Sequence, residues 1–371
     1  MKIAIIHDWF INPGGSEKVT SQLIGLYPDA DIYCLMEFLG AKDKTKFIDN
    51  KTVNTSIFQY FPIAKKYYRF FFPFFPGLIS RFDLSQYDLI FSSSHSFAKG
   101  VKKTKNQTHI CYIHTPVRYA WDLRKQYLQQ VKNIFLRSVL GKQLESLQEW
   151  DLKTAHNVDY FIANSDYVKD RVQKNYERNS TVIYPPVDVD FFNVDKRTTL
   201  KKPYFLVVSR LVLYKRVDLI IKAFNQLPKY NLIVAGDGPQ RKMLKNSSNS
   251  NITFLDYQSD EKIKEYIQNA RATVFAANED FGITPVESQA CGTPVIALNR
   301  GGYMETVIHN STGILFPNQT VNSLIEGIEK FVEIENNFDS KKIRDNSLRF
   351  GVERFKKEIT SFVNDKMDQT V

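Results

Sequence analysis

Residues 279–297 read EDFGITPVESQACGTPVIA. The apolar run ATVFAA (272–277) precedes them, and the run PVIAL closes them at 298. Gly282 and Gly292 punctuate the stretch between the two runs. Short apolar runs bounded by turn residues are what strands covered on both faces look like, and the segment from Pro285 reads as the helix that joins two of them. Strand, glycine loop, helix, strand is the unit of a parallel sheet. The tetrapeptide Thr284-Pro285-Val286-Glu287 has the form of a capping box with proline in the first turn. On that reading Glu287 caps a helix and does nothing else.

The same alternation continues in both directions. PYFLVVSR (203–210), YNLIVAGDG, NITFLD, ATVFAA and PVIAL are strand-like and are separated by helical stretches. Further back, KIAIIHD (2–8) is followed by the loop Pro13-Gly14-Gly15 and a helix from Ser16 through Leu26. YDLIFSSS (87–94), HICYIH (109–114) and VDYFIANS (158–165) are strand-like too, with one long helical segment over roughly 118–157. The expected fold class is α/β, with two Rossmann-like parallel-sheet domains. The Pro-Pro pair in VIYPPVDVDFF (182–192) marks the join. This gives domains at 1–187 and 188–350, and an amphipathic helix in 351–371 that returns to the first domain.

A chain of 371 residues is long enough for two such cores. Apolar residues make up 43% and charged residues 24%, which suggests neither disorder nor low complexity. Three widely spaced cysteines write no disulfide framework and no zinc site, so free thiols are expected. The opening apolar run is too short for a signal peptide, and no run is long enough to span a bilayer. The expected location is cytoplasmic, or peripheral at the inner face of the cell membrane. The net charge of +10 draws anions. No zinc-finger, RRM or basic-zipper pattern is present, so nucleic acid is not an expected partner.

In open parallel sheets ligands collect beyond the carboxyl ends of the strands. Three loops stand there in the second half. SRLVLYK places Arg210 at a strand end and Lys215 five residues on, a pair suited to a diphosphate, although any Arg/Lys pair is more often only a solvated surface. EDFGITPVE offers Glu279 and Glu287 as acceptors for sugar hydroxyls, with the backbone at Gly282 turned toward a ligand. NRGGYME (299–305) is a third glycine loop, or only a tight turn.

In order and spacing, SRLVLYK, AGDGP, EDFGITPVESQACGTPVIA and GGYME resemble the retaining glycosyltransferases of family four, which have the GT-B fold with two domains facing across a cleft. Glu279 and Glu287, with seven residues between them, match its E-x7-E motif. HDWFINPGGSEKV is similar to its N-terminal glycine loop, and IHTPVRYAWD to its histidine loop. The resemblance implies that Arg210 and Lys215 neutralise the departing nucleoside diphosphate, while Gly14 and Gly15 approach the donor. It implies ribose contacts from Glu287 and sugar contacts from Glu279, Asp280, Phe281, Gly282, Ile283 and Thr284. His114 would face the reacting sugar, with Asp8, Tyr119, Trp121 and Asp122 on the acceptor side; apart from the resemblance, the loop SSSHSFAKG (92–100) offers His95 and Lys99 to a phosphate near the acceptor. The implied donor is a nucleoside-diphosphate hexose, GDP-mannose first, and the acceptor a glycan or lipid-linked saccharide of the cell envelope. Donors of the UDP-sugar type, a phosphorylase or sucrose-synthase-like reaction, and a non-catalytic scaffold are the alternatives. No cofactor and no essential metal are expected.

Rival signals are weaker. DAD (29–31) and DVD (188–190) have the form of a metal-binding D-x-D, but both sit where turn and cap aspartates are common. SSSHSFAKG (92–100) lacks the nucleophile elbow of a hydrolase, and NPGGSE lacks the dinucleotide spacing. KKYYRFFFPFFPG (65–77) sets Phe70, Phe71, Phe72, Phe74 and Phe75 beside Lys65, Lys66 and Arg69. Either these rings pack the first core, with Phe70, Phe71 and Phe74 inward, or rings and cations together touch an anionic membrane.

Overall fold

The computed structural model describes residues 1–194 and 203–369; the parts of the expected second and third segments at 195–202 and 370–371 lie outside the described residues. The chain forms two units, Met1–Pro186 with Phe355–Val371, and Val187–Arg354.

The first unit is built on seven strands: β1 (Ile3–His7), β2 (Asp31–Cys34), β3 (Val53–Thr55), β4 (Leu89–Ser94), β5 (Thr108–Ile113), β6 (Tyr160–Ala163) and β7 (Ser180–Val182). They lie in the order β3-β2-β1-β4-β5-β6-β7, and every pairing is parallel. The second unit holds β8 (Tyr204–Val208), β9 (Asn231–Ala235), β10 (Ile252–Leu255), β11 (Thr273–Phe275), β12 (Val295–Leu298) and β13 (Gly313–Phe316). Their order is β10-β9-β8-β11-β12-β13, again all parallel. Strands β1, β4, β5 and β12 are buried along their whole length, apolar throughout or nearly so in β1 and β12, and with buried polar residues at Ser92–Ser94 of β4 and at Thr108 and His109 of β5. Each order reverses once, between β1 and β4 and between β8 and β11. Connections leave opposite faces of the sheet at those two points, so the loops after these strands part and leave room for a ligand.

Several details differ from the sequence reading. The segment over 118–157 is two helices, Arg124–Gln130 and Ile134–Ala155, because Asn133 caps the second by accepting from the amides of Phe135 and Leu136. The amphipathic C-terminal run is also broken, into Ser340–Leu348 and Val352–Asp368. Between them Gly351 forms a bridge to Val187. The short strands β3 (Val-Asn-Thr) and β7 (Ser-Thr-Val) are mostly polar, and β13 offers only Ile314, Leu315 and Phe316 as an apolar run, so none has a distinct signal.

The helix Val352–Asp368 buries Phe355, Ile359 and Val363, four residues apart and so on one face. They join Ile5, Leu23, Tyr112, Ile162 and Ile183 in the core of the first unit. Phe355→Ala should therefore cost the first unit about 3–5 kcal/mol, the usual range for emptying a buried phenylalanine site. Denaturant unfolding followed by a probe in that unit checks it; a loss under 1 kcal/mol would mean the helix is only loosely held.

Candidate functional site

At the turning point of the first sheet, β1 ends at His7 and delivers Asp8. This carboxylate is fully buried. It accepts the backbone amides of His95 (2.7 Å), Ser96 (3.1 Å) and Ala98 (2.8 Å), and that of Phe97. Asp8 thus fixes the loop after β4 and, with its lone pairs engaged, is not a lining residue. The imidazole of His95 lies 3.5 Å from the same carboxylate and stays partly exposed.

Behind this loop runs a line of buried polar groups. His114, just past β5, places Nε2 2.9 Å from Ser93 Oγ. Ser93 Oγ is 2.8 Å from Thr20 Oγ1, and Thr20 Oγ1 is 3.1 Å from His7 Nδ1. The other nitrogen of His7 faces Glu17 at 3.7 Å. Glu17 stands in the first turn of the helix Gly15–Leu26, whose cap is Gly14. Burial raises the Glu17 carboxyl, but the imidazoles of His7 and, less strongly, His95 beside it more than offset this and hold it below the usual value. Burial, with His95 and His7 adding to it, keeps His114 neutral far below the ordinary imidazole range. Glu17, Thr20 and Ser93 were not foreseen; Glu17 alone had a signal, an acid three residues after a glycine cap.

The neighbouring loop is held from outside. Asn164 Nδ2 donates to the carbonyl of His114 at 2.9 Å, Trp121 Nε1 donates to Asp151 at 2.8 Å, and Asp122 pairs with Arg171. Tyr119 is ring-packed between Phe72 and Tyr127. Lys99 is the clearest correction. It is buried, ion-paired to Asp151 at 2.7 Å and bonded to Thr154 Oγ1 at 2.8 Å, so it cannot reach an acceptor. Of the aromatic stretch, Phe75 is buried, Phe71 and Phe72 are half-buried, and Phe70 and Phe74 are exposed beside exposed Lys65, Lys66 and Arg69. Neither reading of it was wholly right, and Phe70 and Phe74 do not point inward.

At the turning point of the second sheet, Lys215 Nζ lies 2.6 Å from Glu279 Oε1. Burial works against the ammonium, but Glu279 and Tyr214 outweigh it, so Lys215 is held above its usual value although Arg210 opposes. Arg210 itself is exposed. Its loop is shaped by AGDGP. Gly236 has φ +143°, and a Cβ there would fall 1.9 Å from the carbonyl oxygen of Ser209. Leu211 N donates to Asp237 O at 2.8 Å across the same contact. GGYME is a buttress. A Cβ on Gly301 would fall 2.2 Å from Glu279 O, and Gly302 N donates to that oxygen at 2.9 Å.

The helix beyond begins at Ile283, capped by Gly282 at φ +94°. Thr284 is therefore already inside it, and the capping box with Glu287 does not form. Glu287 is instead a buried residue of that helix. Phe281 packs its ring on Phe350 at 5.3 Å and so contributes only backbone to the loop surface. Asp280 and Ile283, on either side of Phe281-Gly282, are both half-buried. The D-x-D aspartates are engaged elsewhere: Asp31 accepts from Tyr87 Oη at 2.7 Å, and Asp188 from Phe191 N at 2.9 Å.

Residues 13–191 match the family described as Glycosyltransferase Family 4, and residues 189–347 match Glycosyl transferases group 1. An uncharacterized glycosyltransferase of Methanocaldococcus jannaschii is 29% identical over 191 residues, covering 50% of this chain and 52% of that protein. The alpha-1,3/1,6-mannosyltransferase of Mus musculus is 26% identical over 235 residues, covering 54% and 56%. The chain thus spans about half the length of the curated relatives it matches. Among solved structures, Anabaena HepE in complex with UDP is similar with a TM-score of 0.73 at 19% identity, covering 98% of this chain and 100% of that one. Sucrose-phosphate synthase of Thermosynechococcus elongatus gives 0.72 at 16% identity over the whole of both chains. At such identities these two show the fold.

Two outcomes follow from the buried groups. Lys99→Ala strands Asp151 without its cation and should cost about 3–5 kcal/mol in a denaturant titration, far more than a surface lysine would. The second concerns pH. Burial lowers His109 to about 3 from 6.5, and lowers His114 in the same sense. In that window the folded chain binds fewer protons than the unfolded one, so stability rises with pH and is lost as pH falls below 6.5. The slope is about 1.4 kcal/mol per unit for each group. His109→Gln should flatten the measured slope by that amount, and an unchanged slope would contradict the assignment.

Proposed function

We propose that this chain, which belongs to the glycosyltransferases those two families describe, moves a hexose from a nucleoside-diphosphate sugar to a glycan or lipid-linked saccharide, with retained configuration. The observation that carries this reading is the Lys215–Glu279 pair at 2.6 Å, with Arg210 close enough to act on the charge of Lys215. Mannose from GDP is the first donor to test, a choice supported by the mannosyltransferase relative.

In this mechanism the second unit takes the donor. Arg210 and Lys215 meet the negative charge that grows on the departing diphosphate, and the amides at the start of the helix Ile283–Ala290 add to it. Matching charge that develops only as the bond breaks lowers the barrier instead of merely tightening binding. Glu279 orients Lys215 beforehand and takes sugar hydroxyls, and Glu287 takes those of the ribose. These cations do the work that a metal does elsewhere.

The first unit takes the acceptor at His114. A neutral imidazole, steadied by Ser93 and through it by Thr20, His7 and Glu17, offers a hydrogen bond to a sugar hydroxyl without adding charge. Of the carboxylates around it, Asp8 is occupied by four amides and Glu17 by His7. Neither is available to form a covalent intermediate, which supports displacement from the front face. The bond from the anomeric carbon to the diphosphate oxygen breaks, the bond to the acceptor oxygen forms, and the leaving phosphate receives the acceptor proton.

Thermal denaturation across a panel of nucleotide sugars tests the donor, and GDP-mannose should raise Tm most. Lys215→Ala should abolish that rise and lower kcat by about 10²–10³ when assayed well below the variant's own Tm. A larger rise with a UDP-sugar would reassign the base. Product of inverted anomeric configuration, read by NMR, would reject the front-face step.

A further inference from the structure

We infer that the corner where the helix Arg124–Gln130 meets the helix Ile134–Ala155 seats the first unit on an anionic lipid bilayer. The second helix is 22 residues long, yet its buried residues begin only at Leu144. Its first turns project from the body, and at their tip Ile134, Phe135 and Leu136 are 80%, 72% and 56% exposed. Three consecutive bulky apolar side chains in water are costly on a helix whose cap already fixes its start. Residues 123–143 carry Arg124, Lys125, Lys132, Arg137 and Lys142 and no acid.

The aromatic stretch has the same make-up. Residues 50–82 carry five cations and no acid, and Ile57, Tyr60, Phe61, Ile63, Phe70 and Phe74 are exposed among them. With 40 acids in 371 residues, these two segments at the average content would hold about six between them. A chain of ring contacts joins them within the unit: Phe72 to Tyr119 at 6.0 Å, then Tyr119 to Tyr127 at 6.1 Å in the first helix of the corner. Another leads inward, from Tyr68 to Trp9 at 5.3 Å and from Trp9 to His95 at 4.9 Å.

Charge complementarity selects the occupant. A second copy of this chain would bring like charge to like charge, whereas a lipid surface offers hydrocarbon for the rings and phosphate for the cations. An open cavity of about 450 Å³ at the corner is lined by Arg124, Lys125, Arg137 and Trp121, and suits a phosphate headgroup. Of the acids there, Asp122 is paired with Arg171 and Glu145 with Arg124. No helix among the described residues is long and apolar enough to cross a membrane, so the contact is one of lying on the surface. The contact uses none of Arg210, Lys215, Glu279 and His114.

The experiment is co-sedimentation of the full chain with vesicles of phosphatidylcholine alone, or mixed equally with phosphatidylglycerol. Binding should require phosphatidylglycerol and fall at high salt. The triple variant Ile134→Ser, Phe135→Ser, Leu136→Ser and the pair Lys132→Glu, Arg137→Glu should each weaken it at least tenfold with Tm unchanged. Lys215→Ala should bind as the parent does, which separates this surface from the donor site. Absence of binding to the mixed vesicles overturns the proposal, and so does equal binding by both surface variants. Dimerisation in sedimentation velocity that the triple serine variant abolishes would give the surface to a second copy and overturn it as well.

Discussion

A parallel sheet cannot close its hydrogen bonds and also leave room for a ligand, except where the strand order turns back on itself. In each unit that happens once, and the side chains with chemistry in them stand at those two places: Asp8, His95 and His114 beyond β1, β4 and β5, and Arg210, Lys215 and Glu279 beyond β8 and β11. The constraint explains why so much of the chain is spent on apolar runs. A core buried on both faces holds strand ends rigidly, and loops rooted in rigid ends can carry charged groups in fixed positions.

The two units secure their loops by different means. The first uses a buried carboxylate: Asp8 gathers four amides and replaces the water those amides would otherwise need. The second uses missing side chains. Gly236 and Gly301 let one loop lie directly on the backbone of another, at separations no other residue could tolerate. In both units one or two residues fix the course of a whole loop.

The fold was legible because its signal is local and repeated. Runs such as YFLVV and PVIAL announce buried strands on their own, and their alternation with helices then fixes the class. The edge strands β3 and β7 are harder to read, as Val-Asn-Thr and Ser-Thr-Val are mostly polar and make no apolar run. The loops with charged residues were legible as places, less so as geometry. Nothing in the order Thr-Pro-Val-Glu reveals that the helix starts one residue before the threonine, which undoes the capping box. Lys99 misled for a similar reason. A lysine beside a histidine in a serine-rich loop looks exposed, and its partner Asp151 lies 52 positions away. Pairings of that range, like the line from Glu17 through Thr20 and Ser93 to His114, exist only once the sheet has brought β1, β4 and β5 side by side.

The placement of Phe355, Ile359 and Val363 in the first core bears on how the chain matures on the ribosome. The unit that starts first is discontinuous, whereas Val187–Arg354 is a single uninterrupted segment. During synthesis the later segment holds everything it needs before the earlier one does. Before that, Ile5, Leu23 and Tyr112 lack the Phe355, Ile359 and Val363 that share their core. Until residues 355–368 join it, the first unit lacks part of its core, and a partly built lobe of that kind is the form most easily lost to aggregation.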